Sequence, residues 1–250
     1  MMFKPLTDEL QKWADTGKVA ALWWRDDDVQ KPSAQLERLL AISSRHQAAV
    51  SLAAIPDGVQ VSLVEELIGH DHVNILQHGF DHRNFAPATE RKMELGWHRP
   101  GEQILQQISS GLTDLTALFG AQLLPVLVPP WNRIDSRVVE GLKQAGLCGL
   151  STLGPRKQRY AAEGLKQINV HVDIIDWKQG RCFVGESNSI EQIVAHFGAK
   201  REGRVDAEEP TGIMSHHLVH DAGCWSFLDD LFGFIRSQPA AQLFDARELF

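Results

Sequence analysis

The stretch HVNILQHGFDH, residues 72–82, carries an apolar run of strand length straight into two histidines four residues apart. The same arrangement repeats along the chain in both directions. Further strands are expected at 19–24 (VAALWW), 48–54 (AAVSLAA), 122–128 (QLLPVLV), 147–152 (LCGLST), 168–174 (INVHVDI) and 211–215 (TGIMS). Helix-period segments alternate with them. The clearest is 101–119, where Ile104, Leu105, Ile108, Leu112, Leu115 and Phe119 recur at three- and four-residue spacing and share one face. A second helix is expected from an Asp135 or Ser136 cap to Gly146, with Val138, Val139 and Leu142 inward. Others are expected at 34–46, 188–197 and 225–236, and an amphipathic N-terminal helix capped by Thr7. Repeated βα units predict an α/β protein on a mostly parallel sheet. The 250 residues match the ~250 of one βα barrel, so a single domain over 1–250 is expected. The polar stretches 83–100 and 201–210 have no clear period and read as surface loops.

Composition narrows the function. Lys and Arg number 25 against 32 Asp and Glu, a net charge of −7, which argues against a nucleic-acid backbone or an anionic membrane as the main partner. No apolar run approaches the ~20 residues of a membrane span. Cys148, Cys182 and Cys224 are few, odd in number and far apart, which fits neither a disulfide framework nor a CxxC clip and points to a reducing compartment. The N-terminus does not read as a signal peptide, so a cytoplasmic protein is expected. Nothing in the sequence fixes the oligomeric state.

Chemistry gathers in five polar clusters, each placed where an apolar strand ends: RDDD (25–28), HGFDH (78–82), PPWNR (129–133), DIIDW (173–177) and SHHLVH (215–220). In a parallel barrel the C-terminal strand ends meet on one face, so the clusters are expected to be neighbours. His78, His82 and one carboxylate from Asp26, Asp27 or Asp28 would make a two-His, one-carboxylate site with positions left open, which suits a catalytic divalent metal, zinc first. Zinc brings the pKa of a bound water toward ~7 and polarises a carbonyl. A second carboxylate can then act as base, and His216 or His217 can protonate a departing amine. Each cluster alone has an ordinary explanation. A His pair means little among 11 histidines, three aspartates suit a solvated turn, PPWNR suits a rigid turn, and Trp131 and Trp177 suit a core. Their joint occurrence carries the argument.

In that order the clusters resemble the motif series of the polysaccharide deacetylases, the NodB homology domain or carbohydrate esterase family four, over residues 22–220. The resemblance implies a distorted (β/α) barrel of about seven parallel strands. It implies hydrolysis of an N-acetyl, less often an O-acetyl, group on a carbohydrate or glycan precursor. Asp27 and Asp28 look like the family's base and metal-ligand pair, although the register shifted by one residue remains an alternative. His78 and His82 look like the two histidine ligands, and Met214, Ser215 and His216 like the motif ending in the catalytic acid, with His217 its competitor. Pro130, Trp131, Asn132 and Arg133, with Asp173, Asp176, Trp177 and Met214, fall where the family lines its substrate pocket. One departure stands out. Val128 occupies the place of an arginine that in the family steadies the catalytic aspartate or the product acetate, leaving Arg133 or Arg25 to replace it. Competing readings are a metal-dependent hydrolase of a C–N bond in a non-sugar metabolite and a carbohydrate-binding barrel without turnover.

Overall fold

Trp23, Arg25 and Asp27 point one way from the first strand and Leu22, Trp24 and Asp26 the other, as the two-residue period of a strand requires. In the computed structural model, which describes residues 2–250, that strand is β1 (Ala20–Val29). It is followed by β2 (Val50–Ala54), β3 (Val73–His78), β4 (Leu123–Val128) and β5 (Gly149–Leu150). Then come β6 (Tyr160–Ala162), β7 (Leu165–Gln167), β8 (Val172–Asp173), β9 (Ile175–Asp176), β10 (Cys182–Phe183), β11 (Thr211–Ser215) and β12 (Ala241–Leu243). The helices are α1 (Lys4–Asp15), α2 (Ala34–His46), α3 (Val61–Glu66), α4 (Gly101–Phe119), α5 (Ser136–Val139), α6 (Glu186–Arg201), α7 (Ala222–Arg236) and α8 (Ala246–Leu249).

The sheet runs parallel from β5 through β4, β3, β2 and β1 to β11. Segment 165–173 closes it. Its first part pairs with β5, Ile168 N–H donates to Leu150 O at 3.1 Å and Val170 N–H to Thr152 O at 2.9 Å, and its last part, β8, pairs parallel with β11. Counting that bent segment once, the ring has the seven strands expected of a distorted (β/α) barrel. Inside it Trp23, Ala53, Leu76, Val126, Val128 and Met214 form one buried cluster, reached by Phe250. Outside it Leu22, Trp24, Leu52 and Ile75 pack under the helices. Alternation thus places Arg25 and Asp27 inside the barrel and Asp26 in the outer layer.

Several expectations need correction. RDDD does not follow the first strand but lies within it, because β1 continues to Val29. Thr7 is not a cap: α1 begins at Lys4, with Pro5 suited to the first turn, and Thr7 Oγ donates to Phe3 O at 3.1 Å from inside the helix. The helix expected to reach Gly146 stops at Val139. There Gly141 and Leu142 donate to the carbonyls three residues back, at 3.0 and 3.2 Å, and the chain tightens into turns. The β6–β7 hairpin, β12, α3 and α8 lie in segments assigned no element from the sequence. Asp135 caps α5 as expected, and α4 spans 101–119 as expected.

Candidate metal centre

Asp28 leaves the alternation of β1. The pairing with β2 shifts between Asp27 and Val29, and Asp28 sits at φ +78°, so one residue is bulged out. The bulge brings its carboxylate onto the face that Asp27 already occupies. Asp28 Oδ1 then lies 3.0 Å from His78 Nε2 and 3.4 Å from His82 Nε2. His78 ends β3, and His82 stands beyond a tight loop, itself at φ +54°. His78 Nδ1 donates to Val128 O at 2.9 Å, which turns Nε2 toward Asp28.

Asp28 Oδ1 is shielded from solvent and forms no hydrogen bond of acceptable direction, despite two imidazole nitrogens beside it. Three donor atoms within 4.8 Å of one another fit a cation. Zinc–ligand bonds of ~2.1 Å in a tetrahedral site would separate ligand atoms by roughly 3.4 Å, and the three residues meet that scale. Burial works against an ionised Asp28, yet the adjacent His78 imidazole, and then the charges of His216 and His82, hold its carboxyl well below the usual range. Burial and the His78 charge push the His82 imidazole down, which keeps it neutral and able to ligate.

Glu94 holds the loop between the two histidines. It is fully buried and accepts from Phe80 N at 2.7 Å, Asp81 N at 3.2 Å and His82 N at 3.1 Å. Burial raises its pKa against the Phe80 and Asp81 donors. Gly79, at φ +57°, is forced by the same packing, since a Cβ there would collide with Glu94 and Pro130. Glu94 was not among the residues expected from sequence; its only signal was an acid between Met93 and Leu95 in an otherwise polar loop.

Asp27 faces the candidate ligands from inside the barrel, and Arg25 clamps it with Nε to Oδ1 at 2.8 Å and Nη2 to Oδ2 at 2.9 Å. Arg25 also donates to Ser151 Oγ at 2.7 Å and Asn132 Oδ1 at 2.7 Å and contacts Met214 Sδ at 3.2 Å. Of Arg25 and Arg133, the one that touches Asp27 is Arg25. Arg133 instead donates to Lys92 O at 2.9 Å on the rim. His216 Nε2 lies 3.9 Å from Asp27 Oδ2, its Nδ1 is buried without a partner, and Trp177 packs edge-on against it at 4.6 Å. His217 turns the other way, pairing closely with Asp26 in the outer layer, where Ser215 Oγ also donates to Asp26 at 2.6 Å. The geometry therefore favours Asp27 and Asp28 over the shifted register, and His216 over His217.

The remaining expected pocket residues divide. Trp131 stands 4.6 Å from the His82 ring, at φ +55°, a conformation that costs energy and marks a constrained site. Asn132 and Met214 support Arg25. Asp173 accepts from Trp177 Nε1 at 2.8 Å and positions that ring. Pro130 packs beneath Gly79. Asp176 is not brought to the centre; its carboxylate accepts from Lys178 N at 2.9 Å and Gln179 N at 3.0 Å and closes a turn.

A second group, His171, His196 and Glu209, lies at the opposite end of β11. There His171 Nδ1 accepts from Gly212 N at 3.0 Å, so the neutral ring carries its proton on Nε2, 3.3 Å from Glu209. Glu209 already accepts from Asn169 N and Arg156 N, both at 2.9 Å.

The architecture can be matched to solved structures. A Mycobacterium smegmatis protein assigned as a polysaccharide deacetylase superposes with a TM-score of 0.67 at 15% identity, covering 93% of this chain and 90% of its own. This is the fold of the polysaccharide deacetylases. Peptidoglycan deacetylase PdaC from Bacillus subtilis gives 0.59 at 13% identity over 92% and 90% of the two chains. A family 4 carbohydrate esterase from Streptomyces lividans, solved with acetate, gives 0.55 at 14% over 86% and 88%. No family model and no curated protein matches the sequence. The polysaccharide deacetylase fold is thus present here at 13–15% identity to these structures.

Proposed function

We propose that the chain is a metal-dependent deacetylase that removes an acetyl group, N-acetyl before O-acetyl, from a carbohydrate or glycan precursor. The observation that carries this reading is the convergence of Asp28, His78 and His82 beside an independently clamped carboxylate, Asp27, and a histidine, His216. The known fold neighbours named as deacetylases support it.

A divalent cation held by Asp28, His78 and His82, zinc in the first instance, supplies polarisation of the acetyl carbonyl and acidification of water. Asp27 takes the proton from the attacking water. The Arg25 clamp holds both its oxygens in place, so the base is oriented before substrate arrives. His216 donates a proton from Nε2 to the departing nitrogen, so the products are acetate and a free amine. Trp131 and Trp177 flank the site and exclude water from the sides. That a replacement arginine is engaged speaks against a barrel that only binds. Three free cysteines support a reducing, cytoplasmic setting, and no helix among the described residues is long and apolar enough to cross a membrane.

The test is metal content by mass spectrometry on wild type and His78→Ala, paired with acetate release from N-acetylated sugars. Near-stoichiometric metal lost in the variant, with acetate released by wild type alone, is expected. Metal without acetate from any sugar would leave a hydrolase of another C–N bond; no metal would overturn the site.

A further inference from the structure

Three cations crowd the mouth of the centre with no acid opposite them. The Trp131 ring, beside the ligand His82, has Lys92 Nζ 5.9 Å from its centroid. Arg133 reaches across from the turn after β4 to donate to Lys92 O at 2.9 Å, which brings its guanidinium into the same patch. Arg91 directly precedes Lys92, so it stands beside the same carbonyl that Arg133 reaches, and its charge, after partial burial, pushes the Arg133 guanidinium down. The neighbouring acids are already engaged: Asp81 by Arg83 at 3.6 Å, Glu90 by His98 at 3.2 Å and Asp135 by Arg137 at 2.8 Å.

The patch is also held in place. Asn84 Oδ1 accepts from Ala86 N at 3.1 Å and Met93 N at 2.9 Å, and Phe85 N–H donates to Met93 O at 3.0 Å, so the segment bearing Arg91 and Lys92 is tied back on itself. In a chain of net charge −7, Lys92 has the Trp131 ring and Arg133 the Lys92 carbonyl as partners, contacts that place these like charges near one another without bringing a carboxylate to them. An anion between them would offset the repulsion through charge-assisted hydrogen bonds.

We infer that the substrate is an N-acetylated sugar bearing an anionic substituent, a phosphate or a carboxylate, held by Arg91, Lys92 and Arg133. The inference rests on the deacetylase reading above. A sugar ring lying along Trp131 has its acetamido arm toward His82 and its far side toward Lys92, so one ring bridges the two sites. Trp131 supplies the apolar surface on which such a ring packs.

The test compares N-acetylglucosamine, N-acetylglucosamine 6-phosphate and N-acetylmuramic acid as substrates of the metal-loaded protein, and measures the affinity of each by calorimetry. At least one charged sugar should be preferred by roughly tenfold, as a few partly exposed ion pairs provide. That preference should shrink as salt rises and vanish in Arg91→Glu/Lys92→Glu, a change confined to exposed loop side chains. Which charged sugar is preferred separates phosphate from carboxylate. Equal kcat/KM for all three, or a preference that survives both salt and charge reversal, overturns the inference and leaves the deacetylase reading standing. Acetate from none of the three defeats the deacetylase reading instead, and the affinities then decide the anion site: a salt-sensitive preference for a charged sugar supports it, and equal affinities overturn it.

Discussion

Arg25 and Asp27 form a bidentate pair along one strand, with Nε to Oδ1 at 2.8 Å and Nη2 to Oδ2 at 2.9 Å, both side chains almost wholly removed from solvent. Residues two apart on a strand share a face, so the arginine travels with the carboxylate it orients. Removing one partner of a buried pair leaves the other uncompensated, at a cost of about 3–5 kcal/mol. Arg25→Ala should therefore lose stability of that order in denaturant unfolding. Arg25→Lys keeps the charge but cannot span both oxygens; it should stay folded and metal-loaded while kcat/KM for acetate release drops by roughly 10–100-fold. Full turnover by Arg25→Lys would remove the positioning role.

Glu94 acts on the candidate metal centre through backbone. Its Oε1 accepts from Phe80 and Asp81 and its Oε2 from His82. Glu94→Gln keeps the shape but turns one acceptor into a donor facing an N–H, so the loop should shift and carry His82 with it. Metal affinity is expected to weaken by about 10–100-fold, the range for outer partners of metal ligands, with the far-UV spectrum unchanged. Wild-type affinity in a competition titration with a chelator would show that the loop holds itself.

Some of this was legible in the residues and some was not, for physical reasons. Strand cores such as 73–78 and the helix 101–119 declare themselves because burial imposes a period on the sequence. The histidine pair and the aspartates could be assigned to one end of the barrel because strand direction fixes where they emerge. Which aspartate meets the histidines depends on a bulge at Asp28, a backbone event without a residue signature here, since no glycine marks it. Selecting Arg25 over Arg133 needed only the strand period, once β1 was known to run through Val29. Glu94 was hidden because its role is to pair with backbone N–H groups of an irregular loop, which no spacing rule anticipates.

The lower end of the barrel gives a pH prediction. His196 is packed against His171 with ring centroids 3.6 Å apart, hydrogen-bonds through Nδ1 to Thr211, and lies near Lys200; burial, then the charges of His171 and Lys200, push its pKa down to about 2. Burial lowers His171 too, with Glu209 opposing, and lowers Lys200 to about 8. A histidine whose folded pKa lies below its unfolded value of about 6.5 contributes stability above that pH, lost as pH falls because only the unfolded chain takes the proton. Between pH 7 and 5, His196 alone should remove about 2 kcal/mol of unfolding free energy. His196→Asn should flatten the wild-type slope by that amount in urea titrations. Parallel slopes would mean that the buried ring is protonated in the folded state.

Asp26, Asp27 and Asp28 are consecutive, yet the structure gives each a separate environment and hence a separate phenotype. Asp26 lies fully buried in the outer layer, paired with His217 and accepting from Ser215 Oγ at 2.6 Å and His217 N at 3.0 Å. Asp26→Ala should lose about 3–5 kcal/mol of stability and still bind metal below its lowered melting point. Asp27→Asn should keep metal and fold while turnover falls by at least about 100-fold, the low end for a lost general base. Asp28→Asn should lose metal itself, read by mass spectrometry, because its Oδ1 is the atom aligned with both histidine nitrogens. If Asp26→Ala were instead the variant that emptied the site, the pairing register of β1 would be wrong by one residue. Because a one-residue slip turns every side chain of a strand to the opposite face, Arg25 would then leave the barrel interior as well, so the three variants together test the strand as a whole.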